Sequence, residues 1–273
     1  MPDAVSLGIS SCPNDTFVFD AWVNGKLGPD VPQVCCRIED ISTLNGMALN
    51  GELDVVKVSF FAYGAMRDTY SLLNAGGALG RGCGPLIVAR DGHMTRSDLA
   101  APDVRVALPG RWTTANLLAS LYQPRLRNRT FMRFEQIMPA VAGGSADAGV
   151  VIHEGRFTFE RYGLVMVEDL GAWWEMQTGC PLPLGAVVAR KSLGHERALS
   201  VESAIRDSLG AALADPHAPM EFMRRHAGEM DDEVMRRHVE LYVNEYSLDY
   251  GENGRKAIDC LLNHAEKKNL FRL

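Results

Sequence analysis

The chain has 273 residues, 47% hydrophobic and 23% charged, enough for two lobes of ordinary size with a core in each. A formal net charge of -6 argues against a general affinity for nucleic acid or an anionic membrane, and the one basic cluster, Arg125, Arg127, Arg129 and Arg133, reads as a solvated turn. No apolar run approaches the roughly 18 residues of a spanning helix, and Met1-Pro2-Asp3-Ala4-Val5 has no secretory n- or h-region, so a cytoplasmic protein is expected.

Cys12, Cys35, Cys36, Cys83, Cys180 and Cys260 form no Cys-x-x-Cys pair and have no clustered histidines beside them, so they read as reduced thiols and no metal site is expected. Cys12 differs in lying among polar neighbours. Residues 5–9 form a short apolar strand, and Ser10 to Thr16 supply turn and N-cap residues for a helix over 17–23. A strand, a polar loop and a helix start in that order make either an anion-receptive corner or an ordinary capped turn. A strand over 34–38 and a helix over 41–49 follow. The next strand runs through Glu52-Leu53-Asp54-Val55-Val56-Lys57-Val58-Ser59-Phe60, which puts Lys57 and Ser59 on one face, although a mid-strand lysine could simply reach solvent.

Residues 76–84 are glycine-dense, but Pro85 and a strand follow where a phosphate loop would open onto a helix, and the Gly-Lys-Ser/Thr ending is missing. The segment therefore reads as an irregular turn into a strand over 85–90. A second lobe starts with a strand over 104–108 and a Pro-Gly turn, with Thr113 or Thr114 as N-cap of a helix running to Tyr122. A strand over 131–134 and a helix over 136–142 precede Val150-Val151-Ile152-His153, the end of a buried strand. His153 would sit where that strand opens into a loop, a place where open α/β sheets gather ligands. An imidazole there can be a general base, or can cap the strand by bonding backbone.

Two internal echoes expose the architecture. Residues 51–60 align with 144–153: each has Gly, then Asp three residues later, then a strand with a polar end. Residues 84–90 align with 184–190, and these read as the two strands that cross between lobes. From residue 193 onward the chain is helical, with helices expected near 200–214, 220–226, 231–244 and 254–268. His226, His238 and His264 stand among charges there and read as surface residues, as do His93, His195 and His217.

Two α/β lobes, residues 1–90 with 184–273 and residues 91–183, joined by two crossing hinge strands and finished by a helical C-terminal segment, resemble the type 2 periplasmic-binding-protein-like fold. Cys12-Pro13-Asn14-Asp15-Thr16-Phe17, Asp54-Val55-Val56-Lys57-Val58-Ser59-Phe60, Ala75-Gly76-Gly77-Ala78-Leu79-Gly80-Arg81-Gly82, Thr113-Thr114-Ala115-Asn116-Leu117-Leu118, Ile152-His153-Glu154-Gly155-Arg156-Phe157 and Leu182-Pro183-Leu184-Gly185 resemble the motifs of the 1,4-dihydroxy-6-naphthoate synthase family, on the futalosine route to menaquinone. Ser11 stands where that family is expected to favour proline. The resemblance implies a lyase that takes a small carboxylate substrate, cyclic dehypoxanthinyl futalosine, to the naphthoate and a dihydroxyacetone fragment with no cofactor. It also implies His153 as proton acceptor, with Lys57, Val58, Ser59, Asn14 and Asp15 in the first-lobe half of the site and Thr113 and Thr114 in the second-lobe half. The alternatives are a chorismate dehydratase of the same pathway and a non-catalytic small-anion solute-binding protein. Trp173 and Trp174 are further candidates to line the cleft and stack on an aromatic product, although adjacent tryptophans face different ways and at least one of the two is expected to be structural.

Overall fold

Short apolar runs rich in β-branched residues alternate with capped helices along the chain, the pattern that builds layered α/β lobes. A computed structural model describes residues 4–227 and 231–272, and the reading of Met1, Pro2 and Asp3 lies outside them. In chain order the first lobe has β1 (Val5–Ser10), α1 (Pro13–Val23), β2 (Val34–Glu39), α2 (Ile41–Leu49), β3 (Val55–Ser59), α3 (Phe60–Met66), β4 (Tyr70–Leu72) and β5 (Ala78–Gly80). The second has β6 (Leu86–Ala89), β7 (Val106–Leu108), α4 (Thr114–Tyr122), β8 (Arg129–Phe131), α5 (Phe134–Ala142), β9 (Ala148–Val151), α6 (Gly155–Thr158), β10 (Val165–Asp169) and α7 (Leu170–Thr178). The chain returns through β11 (Leu182–Arg190) and ends in α8 (His195–Ala214), α9 (Met220–His226), α10 (Asp232–Tyr242), α11 (Glu245–Leu248) and α12 (Gly251–Lys267).

The first sheet is ordered β2-β1-β3-β11-β4, with β5 paired to β11, and the second β10-β6-β9-β7-β8. One arrangement is built twice. β1 pairs in parallel with β2 and β3, and β11 closes antiparallel on β3; β7 pairs in parallel with β8 and β9, and β6 closes antiparallel on β9. Each lobe thus takes its antiparallel strand from a segment that has crossed over, as the echo of residues 84–90 in 184–190 suggests. The other echo holds in detail: Asp54 accepts from the backbone N–H of Ser6, and Asp147 from that of Arg105. Gly51 and Gly144, both at positive φ, lie against the Arg190 and Arg90 guanidinium groups.

The structure moves one boundary. β6, expected in the first lobe up to residue 90, hydrogen-bonds in the second sheet. All four of its residues are buried, so it needs a strand on either side, and β9 and β10 supply them. α1 starts at Pro13, four residues before its expected start, because proline needs no N–H partner in a first turn. Its residues 13–22 are all buried, since α8, α9 and α10 cover the side turned from the sheet. One apolar core runs through both lobes, from Val58, Phe60 and Phe61 to Leu117, Val150 and Trp174, and smaller cores fill each lobe. Among the described residues no helix is long and apolar enough to cross a membrane.

The outward crossing meets α7 with backbone against backbone. A Cβ on Gly84 would lie 2.2 Å from the Gly171 Cα, where no side chain can swing aside. Gly84→Ala should therefore cost about 1–3 kcal/mol of stability. Gly210→Ala, in the interior of α8 with open space around it, should instead add about 0.5–1 kcal/mol. Urea unfolding of the two variants checks this, and equal effects would remove the close approach as a constraint.

Candidate active site

The strands β1, β3, β7 and β9 all end toward the seam between lobes, and a cleft with about 620 Å³ of empty space opens there. It is lined by Ser10, Asn14 and Asp15 after β1, by Lys57 and Ser59 from β3, by Thr113 and Thr114 at the start of α4, by His153 after β9, and by His238 and Tyr242 from α10. Strand alternation puts Lys57 and Ser59 on the cleft side, as expected, and sends Val58 to the opposite face. The Val58 side chain is fully buried in the core and does not line the cleft.

Lys57 does not reach solvent: its side chain is 4% exposed and its Nζ lies 2.8 Å from Asp15 Oδ1. Nζ also donates to the Gly76 carbonyl at 2.6 Å, leaving one of its three N–H donors for a ligand. Asp15 is saturated in turn, accepting on Oδ2 from the Ser10 hydroxyl and N–H and on Oδ1 from the Asn14 amide. Asn45 fixes Ser59 from below, accepting from its N–H at 2.8 Å and donating to its Oγ at 3.1 Å, so the Ser59 hydroxyl hydrogen stays free to donate.

The Thr113 side chain caps α4, accepting from the Asn116 N–H and donating to the Gly110 carbonyl. Thr114 donates to the Leu184 carbonyl on β11, a bond between lobes. Both hydroxyl hydrogens are thus committed within the protein. What the helix start offers a ligand is the N–H groups of its first turn, at Thr114 and Ala115, which have no carbonyl four residues back in the helix.

His153 stands in the left-handed region, with φ 55, an uncommon conformation for a residue with a Cβ. That turn brings its Nδ1 to 3.3 Å from the Cys12 Sγ and stacks its ring on His238, centroids 6.1 Å apart, with Phe134 edge-on at 5.0 Å. The residue is half-buried, yet its Nε2 is shut away from water and has no partner among the described residues. Burial pushes the His153 pKa down to about 4, although Asp15, Glu135 and Asp40 pull it upward. Burial, with the Asp15 and Glu154 charges, holds the Cys12 thiol well above its ordinary value. A neutral imidazole therefore faces a neutral thiol. Arg156 pins the His153 loop, donating to the Gly84 carbonyl at 2.7 Å and to Asp169 at 2.6 Å. Glu154, raised to about 7 by burial, opens on a separate groove behind the loop and not on the cleft.

Three expectations are corrected here. His238, expected at the surface, is fully buried and lines the cleft, its Nε2 2.9 Å from Asn14 Oδ1. Its position was readable: Val234, Met235, His238 and Tyr242 recur at helical spacing and form the buried face of α10. Neither Trp173 nor Trp174 lines the cleft, since Trp174 is core and Trp173 packs on Tyr122. Within the basic cluster, Arg129 is half-buried and bonds Asn116 and Ser120 of α4, whereas Arg125, Arg127 and Arg133 are exposed.

Residues 5–267 match the family described as menaquinone biosynthesis. The chain is similar to a 1,4-dihydroxy-6-naphthoate synthase of Thermus thermophilus, 49% identical over 268 residues covering 98% of this chain and 96% of the relative. It is also similar to one of Streptomyces coelicolor, 44% identical over 276 residues covering 98% and 95%. Among solved structures, a protein of Archaeoglobus fulgidus superposes with TM-score 0.90 at 35% identity over 98% of both chains. The alkanesulfonate-binding protein of Xanthomonas axonopodis pv. citri superposes with TM-score 0.71 at 12% identity over 99% and 94%, which shows a shared periplasmic-binding-protein-like fold.

His153 and His238 both have pKa values lowered in the folded state, so between pH 6.5 and about 4 the unfolded chain binds protons that the folded chain does not. Their contribution to stability is present above pH 6.5 and is lost as pH falls through that window. His153→Asn and His238→Asn should each flatten the fall in the urea midpoint between pH 7 and pH 5. An unchanged slope would show that the rings are not held neutral.

Proposed function

The chain belongs to the menaquinone-biosynthesis family, and from that premise we propose that it is a carbon–carbon lyase converting cyclic dehypoxanthinyl futalosine to 1,4-dihydroxy-6-naphthoate and a dihydroxyacetone fragment. The observation that carries the chemistry is that His153 lines the cleft and its buried Nε2 has no partner among the described residues. On this reading the reaction proceeds in the cytoplasm without metal or organic cofactor.

Breaking a carbon–carbon bond beside a carbonyl and aromatising the ring requires removal of a proton and a resting place for negative charge on oxygen. His153 does the first. In the tautomer that directs Nδ1–H to the Cys12 sulfur, Nε2 carries the lone pair, and burial leaves that lone pair unprotonated at neutral pH. The imidazolium formed when it takes the proton is stabilised by the Asp15, Glu135 and Asp40 charges. On the first-lobe flank, the Ser59 hydroxyl and the remaining Lys57 N–H are the donors for a developing oxyanion. On the second-lobe flank, the first turn of α4 receives the substrate carboxylate. Closure of the lobes keeps water out while the intermediate lasts.

The purified protein should turn over the substrate, and His153→Asn should lower kcat by about 10²–10⁴-fold with substrate still bound. A near-normal rate would remove the base. Thr113→Val and Thr114→Val, which disturb the start of α4 and the bond to Leu184, should act mainly on KM; an unchanged KM would take the carboxylate away from that helix.

A further inference from the structure

The mechanism above uses one imidazole, yet two stand stacked in the cleft. His238 is fully buried, and its neighbours are neutral: the His153 ring, the Asn14 amide and the Tyr242 ring at 4.5 Å. Its tautomer follows from a chain of fixed bonds. Asp15, paired with Lys57, can only accept, so the Asn14 group that meets it is the Nδ2 amide. The Asn14 Oδ1 is thereby turned to His238, and a carbonyl oxygen also only accepts. The proton on His238 must therefore sit on Nε2. A neutral ring with its proton on Nε2 has a bare lone pair on Nδ1, and that buried atom has no partner among the described residues.

We propose that His238 is a substrate-binding residue whose Nδ1 accepts a hydrogen bond from a hydroxyl in the part of the substrate that leaves as the three-carbon fragment. The inference rests on the proposed reaction for the identity of the ligand, but the tautomer stands on geometry alone. In this arrangement Asn14 and Asp15 are positioning residues: they act through the ring, so that one imidazole of the stack takes a proton and the other accepts a hydroxyl. A purely structural histidine, holding Asn14 through Nε2, would have no use for its second nitrogen.

Two variants separate these roles. Glutamine carries its amide nitrogen to the place of Nε2 and keeps the bond to Asn14 while dropping the acceptor. Asparagine sets its amide oxygen near the place of Nδ1 and drops the bond to Asn14. In a His153→Asn background, where bound substrate is not consumed, calorimetric Kd for cyclic dehypoxanthinyl futalosine should weaken about tenfold or more with His238→Gln and less than about threefold with His238→Asn. The reverse order, or no loss with either, overturns the proposal. In the otherwise native protein with 15N-labelled histidine, His238 should be the Nε2–H tautomer at pH 7, and saturating substrate should shift its Nδ1 resonance upfield. An Nδ1–H or charged His238, or an Nδ1 resonance that substrate leaves unmoved, overturns it even if both variants bind weakly. If the native protein neither binds nor converts this substrate, the proposed reaction falls, and the tautomer in the free protein still tests the lock on His238.

Discussion

A buried ion pair, Lys57 with Asp15, organises the cleft. Two charges removed from water must find each other and enough hydrogen bonds to replace hydration, and here the Ser10, Asn14 and Gly76 groups supply them. Loss of one partner from such a pair typically costs about 3–5 kcal/mol, a large share of the stability of an ordinary domain. The β1–α1 loop is therefore held as a unit. Two consequences reach the chemistry: Cys12, in that loop, meets His153 from the other lobe, and Asn14, in its first helical turn, sets the proton on His238.

The second lobe contributes the proposed base, His153, on a strained turn. His153 keeps φ 55 because Arg156, one turn later, is tied to Gly84 on the outward crossing and to Asp169 at the start of α7. Gly84 also touches Gly171, so the crossing and the base loop share one point of contact. With the seam closed, burial keeps both imidazoles uncharged and leaves each with one unpaired nitrogen, a polar deficit that a ligand with a labile proton and a hydroxyl would fill.

Much of this was legible in residues. The echoes of 51–60 in 144–153 and of 84–90 in 184–190 correspond to equivalent strands in two equivalent sheets, because a repeated strand and turn chemistry repeats its pairing. α2 follows its expected bounds because Asp40 caps it and Asn50-Gly51 ends it. α3 escaped reading since Phe60-Phe61-Ala62-Tyr63 is as apolar and aromatic as the strand before it, and tertiary packing decides its state. α7 carries readable signals, Asp169 as N-cap and Gly179 at its end, but paired tryptophans suit a cleft wall as well as a core, and tertiary packing decides between them. Of the site, His153, Lys57, Ser59, Thr113, Thr114, Asn14 and Asp15 line the cleft, while the pairing of Lys57 with Asp15 was not readable, because partners 42 positions apart in sequence meet only through the fold. The burial of His238 follows from the spacing of Val234, Met235 and Tyr242 on α10, while its bond to Asn14, 224 positions away, arises only through the fold.

In the proposed reaction a substrate gripped on both flanks presents its labile hydrogen to the Nε2 position of His153. A crystal structure of the His153→Asn variant with cyclic dehypoxanthinyl futalosine bound addresses it directly. The carbon that loses the proton should lie about 3–3.5 Å from where Nε2 stands in the native ring, with the carboxylate at the first turn of α4. A substrate seated with that carbon turned to the Ser59 wall, away from residue 153, would contradict the account.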